Sequence, residues 1–168
     1  IKHIDWVKKS LWTLKDKFDE KNTGVFEERL KLIDNPNEKY VLETLERFCS
    51  SILKTNMFFE NRNAISFRLD PVLFHNSEVE QSKIPFGVFY IVGNNFDAFH
   101  IRFRDIARGG MRIIRTRSDA QFMLESESVY KENWSLAFAQ QLKNKDIPEG
   151  GAKGVILTKP NVDYQKCG

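Results

Sequence analysis

Hydrophobic positions follow two different periods along the chain, a helical one at first and an alternating one after about residue 60. Ile1, Ile4, Val7, Leu11, Leu14 and Phe18 recur every three or four residues, with Lys8, Lys9, Lys15 and Lys17 off that stripe. This spacing predicts an amphipathic packing helix. A second helix start is written as Asn35-Pro36-Asn37-Glu38: Asn35 can cap, Pro36 suits the first helical position, and Glu38 lies three residues after the cap. Val41, Leu45, Phe48 and Ile52 are the expected buried face.

Ile65, Phe67 and Leu69 then alternate with Ala64, Ser66 and Arg68, the pattern of a half-buried strand, which Asp70-Pro71 ends. Residues 72–85 are of mixed polarity and are expected to form a loop. Gly87 to Val92 is apolar on both faces, as an internal strand requires, and Gly93-Asn94-Asn95 predicts a hairpin turn. In the following strand Phe99, Ile101 and Phe103 point one way and His100, Arg102 and Arg104 the other. A turn at Gly109-Gly110 and a polar stretch lead to a helix over about residues 128–144, with Trp134, Phe138 and Leu142 stacked at four-residue spacing and Lys143 and Lys145 in its last turn. Pro148 and the paired glycines are expected to make a tight loop, followed by a short buried strand, Val155-Ile156-Leu157. These elements predict an α/β fold, a helical amino-terminal segment (1–56) packed on a mixed, partly antiparallel sheet (57–168).

Composition narrows the class. The 168 residues suffice for one core, and a net charge of +3 gives no global signal for nucleic acid or membrane. Cys49 and Cys167 have neither metal-ligand spacing nor a histidine cluster beside them, so a reducing, cytoplasmic compartment is expected, with the mitochondrion as the alternative. No apolar run reaches the roughly 18 to 20 residues of a membrane span. The chain lacks an initiator Met, and it is read as part of something longer.

Two features could carry chemistry. Around Lys153 the loop Pro148-Glu149-Gly150-Gly151-Ala152-Lys153-Gly154 offers glycines able to take positive φ or approach a ligand closely. It is not a phosphate loop, since Ala152 stands where Gly is needed and Gly154 where Ser or Thr is needed, and no Gly-x-Gly-x-x-Gly occurs anywhere. A plain turn with an exposed lysine explains the spacing equally well. The second feature is the run Arg102, Arg104, Arg108, Arg112, Arg115 and Arg117, with Asp105 the one acid among them, which implies an acidic partner unless these arginines pair with carboxylates elsewhere.

The strings Phe99-His100-Ile101-Arg102-Phe103-Arg104-Asp105-Ile106-Ala107-Arg108-Gly109-Gly110-Met111-Arg112 and Gln140-Gln141-Leu142-Lys143-Asn144-Lys145-Asp146-Ile147-Pro148-Glu149-Gly150-Gly151-Ala152-Lys153-Gly154 resemble the large NAD-specific glutamate dehydrogenases. The resemblance covers roughly residues 86–158. It implies an amino-acid-dehydrogenase-like substrate domain in which Lys153 is the catalytic lysine. It also implies that Lys143 holds the substrate α-carboxylate, that Arg108 holds the side-chain carboxylate, and that Gly150 and Gly151 line the substrate site. Arg108 stands where the smaller enzymes of this kind place a lysine, and an arginine there offers a planar, bidentate fork.

The implied reaction is oxidative deamination of L-glutamate to 2-oxoglutarate and ammonia with NAD. A dicarboxylate needs two cationic anchors to orient Cα, and hydrolysis of the iminium calls for a base working near neutral pH. The family's proton-transfer aspartate lies well downstream of the lysine loop, and Asp163 is too near to be it. Its NAD-binding domain lies outside this chain, and the remainder of the parent polypeptide, assembled as a homo-oligomer, is the expected partner. The 168 residues alone are expected not to turn over glutamate. The rival reading is a basic module in which Arg102 to Arg117 bind RNA or a phosphorylated partner, although Phe99 and Phe103 lie opposite the arginines rather than among them, where stacking would need them.

Overall fold

A computed structural model describes residues 31–74, 83–143 and 146–160. The expected helix over residues 1–18, most of the 72–85 loop, Lys145, Asp163 and Cys167 lie outside the described residues. The chain divides into two compact units, Ile1–Ser50 and Ser51–Gly168.

In the first unit, α1 (Pro36–Ser50) begins where the sequence places it. The Asn35 side-chain oxygen accepts from the backbone N–H of Asn37 at 3.0 Å, and Asn35 O takes the first helical bond, from Lys39 N–H at 3.0 Å. The buried stripe differs from the expected one by a position. Leu42 and Cys49 are buried and Leu45 and Phe48 half-buried, whereas Val41 is exposed. Ile52 is buried but belongs to the next strand, because the helix stops at Ser50.

The second unit is a seven-stranded mixed sheet with one long helix. Its strands are β1 (Ile52–Thr55), β2 (Ala64–Leu69), β3 (Gly87–Gly93), β4 (Phe96–Arg102), β5 (Ala107–Arg108), β6 (Met111–Arg115) and β7 (Gly150–Thr158). A single helical turn, α2 (Pro71–Phe74), occupies the start of the expected loop, and α3 (Asp119–Gln141) joins β6 to β7. The order β1-β2-β3-β4-β7 is antiparallel throughout, and β5 and β6 both run parallel to β7 on its far edge. The α/β class and mixed sheet are those expected from the sequence. The hairpin also stands, with Asn94 and Asn95 alone linking β3 to β4.

Three segments depart from expectation. The polar stretch after Gly110 is strand β6, where only Ile114 is buried and Met111 and Ile113 are exposed beside Arg112 and Arg115, so its alternation is muted. Helix α3 starts at Asp119, nine residues before the expected 128. Ser118 caps it, its hydroxyl accepting from Gln121 N–H at 3.2 Å, while Gln121 Oε1 accepts from Arg117 N–H at 3.0 Å. Trp134 and Phe138 do stack, with ring centroids 5.2 Å apart, but Leu142 is exposed at the helix cap, and Lys143 follows that cap.

The third departure concerns the glycine loop. Gly150 through Gly154 form the first half of β7 rather than a turn, and β7 is the strand that β4, β5 and β6 all pair with. Neither Gly150 nor Gly151 takes a left-handed φ. Their missing side chains serve close approach instead, since a Cβ on Gly151 would lie 2.2 Å from Gln141 N and 2.4 Å from Ala137 O of α3.

Helix α3 covers one face of the sheet. Ile114, Val129, Val155 and Leu157 form one cluster with Phe99 and Phe122 against it; Ile101, Phe103 and Ala137 form another with Tyr130, Trp134 and Phe138. Burying each large side chain stabilises the fold by roughly 1.5–3 kcal/mol. Edge-to-face contacts such as Phe99 with Tyr130 (5.1 Å) and Phe103 with Trp134 (5.9 Å) fix the helix over β4.

Candidate functional site

Strand alternation decides where the charged residues go. Ile101 pairs with Lys153 across β4 and β7, and Val155 and Leu157 follow Lys153 at two-residue steps, so Lys153 lies on the face that α3 covers. His100 and Arg102, opposite Gly154 and Ala152, lie on the other face. The cationic side of β4 and the lysine of β7 are therefore on opposite sides of the sheet.

The arginine run does not form one patch. Arg102 donates to the backbone carbonyls of Arg104 and Asp105, bracing the turn after β4. Arg108 Nε contacts Glu149 Oε1 at 2.5 Å, and Arg112 pairs with Glu132 of α3. His100 is half-buried on the Arg102 face, where burial, with help from the Arg102 charge, pulls its pKa below the usual imidazole value.

Lys153 is half-buried and opens into a narrow cleft between β7 and α3, lined by Arg112, Val129, Glu132, Asn133, Leu136, Lys153 and Val155. Its ammonium lies over the β5–β6 turn, 3.4 Å from where a Cβ on Gly110 would stand. Among the described residues it has no hydrogen-bond partner. Behind it, Asn133, only 2% exposed, donates from Nδ2 to the Lys153 carbonyl at 3.1 Å and holds the strand to the helix at that point.

The other expected site residues gather near the start of β7. Arg108 is the parallel partner of Gly151, two residues before Lys153, and Gly151 N–H donates to Gln141 Oε1 at 2.8 Å just before Lys143. Arg108 and Lys143 are both exposed, and neither lines the cleft. Gly150 and Gly151 are buried, packed against Arg104 and the α3 backbone. Glu132 and Asn133 were not singled out by sequence reasoning. The four-residue spacing of Val129, Asn133 and Ala137 gives the one available signal, a polar residue on an apolar stripe.

A second hollow on the same face is lined by Tyr90, Asp97, Phe99, Ser126, Val129, Val155 and Leu157. Asp97 has one carboxylate oxygen buried without a partner among the described residues. Burial raises its pKa, against the lowering influence of Lys159. Among the described residues no group of three His, Cys, Asp or Glu is placed to hold a metal, and no helix is long and apolar enough to cross a membrane.

A family model described as the catalytic domain of bacterial NAD-glutamate dehydrogenase matches residues 25–166, well beyond the two motif blocks. The chain is 52% identical over 144 residues to an NAD-specific glutamate dehydrogenase of Saccharomyces cerevisiae, a match that covers 84% of this chain and 13% of that protein. It is 44% identical over 130 residues to the NAD-specific glutamate dehydrogenase of Neurospora crassa, covering 77% of this chain and 12% of that one. With glutamate dehydrogenase 2 of Dictyostelium discoideum the identity is 45% over 135 residues, covering 80% and 13%. The chain thus spans about an eighth of the length of these relatives.

Proposed function

From the premise that this chain belongs to the bacterial NAD-glutamate dehydrogenase catalytic-domain family, we propose that it is the lysine-bearing part of an enzyme that oxidatively deaminates L-glutamate to 2-oxoglutarate and ammonia. Lys153 is the catalytic base, and Lys143 and Arg108 anchor the two carboxylates. The observation that carries this reading is the setting of Lys153: a half-buried lysine on an interior strand, opening into a cleft, its ammonium without a hydrogen-bond partner among the described residues. A lysine serving only the fold would be expected to lie in solvent or in an ion pair, as Arg112 does with Glu132.

The contact of Arg108 with Glu149 leaves room for its proposed task. It uses Nε, whereas a carboxylate fork needs the terminal nitrogens as well, and the Arg108 side chain is 69% exposed. Gly151 supports the site by letting α3 and β7 approach closely enough for Asn133 to reach the Lys153 carbonyl, and Gly150 lets β7 pack closely on Arg104 in the turn after β4. The glycine pair is buried in the sheet and so offers no open phosphate cradle, and the sequence lacks the dinucleotide fingerprint. NAD is therefore assigned to residues outside this chain. The full-length protein is read as a homo-oligomer, cytoplasmic with the mitochondrion as the alternative.

The direct test is Lys153→Ala in the full-length protein, with glutamate-dependent NADH formation followed by absorbance. Turnover should fall by at least about a hundredfold, the lower range for removing a general base, while the thermal melting profile is unchanged. Retention of most of the turnover would refute the assignment.

A further inference from the structure

Asp97 interrupts an apolar row. On β4 it shares the α3-covered face with Phe99 and Ile101, and its cross-strand neighbours are Val92 and Leu157. Strand alternation alone would put an aliphatic residue there. The carboxylate makes no ion pair or side-chain hydrogen bond among the described residues, a costly state for a half-buried charge. The charge of Lys159 acts on it, but the Lys159 ammonium donates to the carbonyls of Gly93 and Asn94, at 3.5 and 3.3 Å. Oδ1 of Asp97 is buried, so Oδ2 is the oxygen that a ligand meets.

The hollow beside Asp97 has a volume of about 110 Å³, several times the room one water needs, and is partly open. Phe99, Val129, Val155 and Leu157 give it an apolar wall, and Ser126 of α3 adds a second polar group. The Ser126 hydroxyl donates to the Met123 carbonyl at 2.7 Å, which leaves its oxygen as an acceptor. Both polar groups therefore receive hydrogen bonds and neither offers one. A purely apolar molecule would leave the carboxylate unpaired, and an anion would be repelled by it.

We propose that this hollow is a binding site for a small organic cation, a protonated primary amine on a short aliphatic chain. The ammonium donates to Asp97 and Ser126, and the chain lies against Phe99, Val129, Val155 and Leu157. Val129 and Val155 also line the cleft at Lys153, so the two sites are neighbours, but the proposal does not rest on the role of Lys153. Glutamate is a poor fit here, because Asp97 repels its carboxylates.

The experiment is isothermal titration calorimetry on the full-length protein at constant ionic strength. The probes are n-butylammonium chloride, 1-butanol as its neutral isostere and sodium butyrate as the anion. Butylammonium should bind saturably and 1-butanol at least about tenfold more weakly, the worth of a hydrogen bond to a charged group, with butyrate weaker still. Asp97→Asn should bring the amine level with the alcohol. Equal affinity for amine and alcohol in the parent protein, or an amine affinity unchanged by Asp97→Asn, would overturn the proposal. Ser126→Leu fills the hollow from the helix side and should abolish amine binding while the thermal melting profile is unchanged. Amine binding retained in that variant places the amine elsewhere, and so refutes the site even where Asp97→Asn fails to fold. Saturating glutamate should leave the amine affinity as it was; competition between the two would put the amine in the substrate site and remove the separate one.

Discussion

Arg108 shows how one residue can be engaged and still available. Its Nε lies 2.5 Å from Oε1 of Glu149, which is only 15% exposed on its side chain, and this ion pair does not involve the terminal guanidinium nitrogens. Arg108→Ala should therefore lower kcat/KM for glutamate on the order of tenfold or more. For an amino acid of equal length without the side-chain carboxylate, the loss should be much smaller. Steady-state kinetics on both substrates checks this, and an equal loss on the two would remove the anchor role. Lys143 is exposed just beyond the α3 cap, at the same end of β7. Strand register sets Arg108 beside Gly151, and the bond from Gly151 N–H to Gln141 sets the end of α3 there too, neither of which any spacing along the chain encodes.

At the level of elements, the contact of α3 with β7 is what holds the proposed site together, and glycines set its distance. A Cβ at Gly151 would meet backbone atoms of α3 at 2.2 and 2.4 Å, and backbone cannot step aside as a flexible side chain can. Gly151→Ala should destabilise the protein by roughly 1–3 kcal/mol, as overpacking does. A urea titration reads this directly, and an unchanged midpoint would show that the helix can lift without cost. Gly110 is the contrasting case. A Cβ there comes only within 3.4 Å of Lys153 Nζ, so the same titration should show Gly110→Ala close to the parent protein. The start of α3 was legible in principle, because Ser118 and Gln121 form a near-reciprocal cap. The apolar periodicity nevertheless pointed to a later start, since Met123 and Leu124 in the early turns are exposed and blur the stripe.

For the whole molecule, the chain supplies about an eighth of the length of its relatives, and its sequence lacks the dinucleotide fingerprint. The isolated 168-residue chain should therefore form no NADH from glutamate and NAD under conditions where the full-length protein does; measurable turnover by the chain alone would contradict the division of labour proposed above. The six arginines, distributed over two faces of the sheet and several already committed to carbonyls or carboxylates, give no support to a continuous surface for RNA or phosphorylated partners.

The sequence by itself determined the local features. The Asn35 cap, the strand Ala64–Leu69, the Asn94-Asn95 hairpin and the two-faced strand containing Ile101 follow from periodicity and turn chemistry within a few residues. The motif blocks pointed to the family that the comparisons then extended across most of the chain. Tertiary structure alone decided that the glycine segment is part of an interior strand. Gly-Gly-Ala-Lys-Gly reads locally as a turn, and only pairing with β4, β5 and β6, up to 54 residues away in sequence (His100 with Gly154), supplies the hydrogen bonds that hold it extended. It alone decided, too, that Lys153 shares a cleft with Asn133 and not with the arginines of β4. A side chain's face depends on register, and register is fixed by non-local pairing and by which side of the sheet the helix covers.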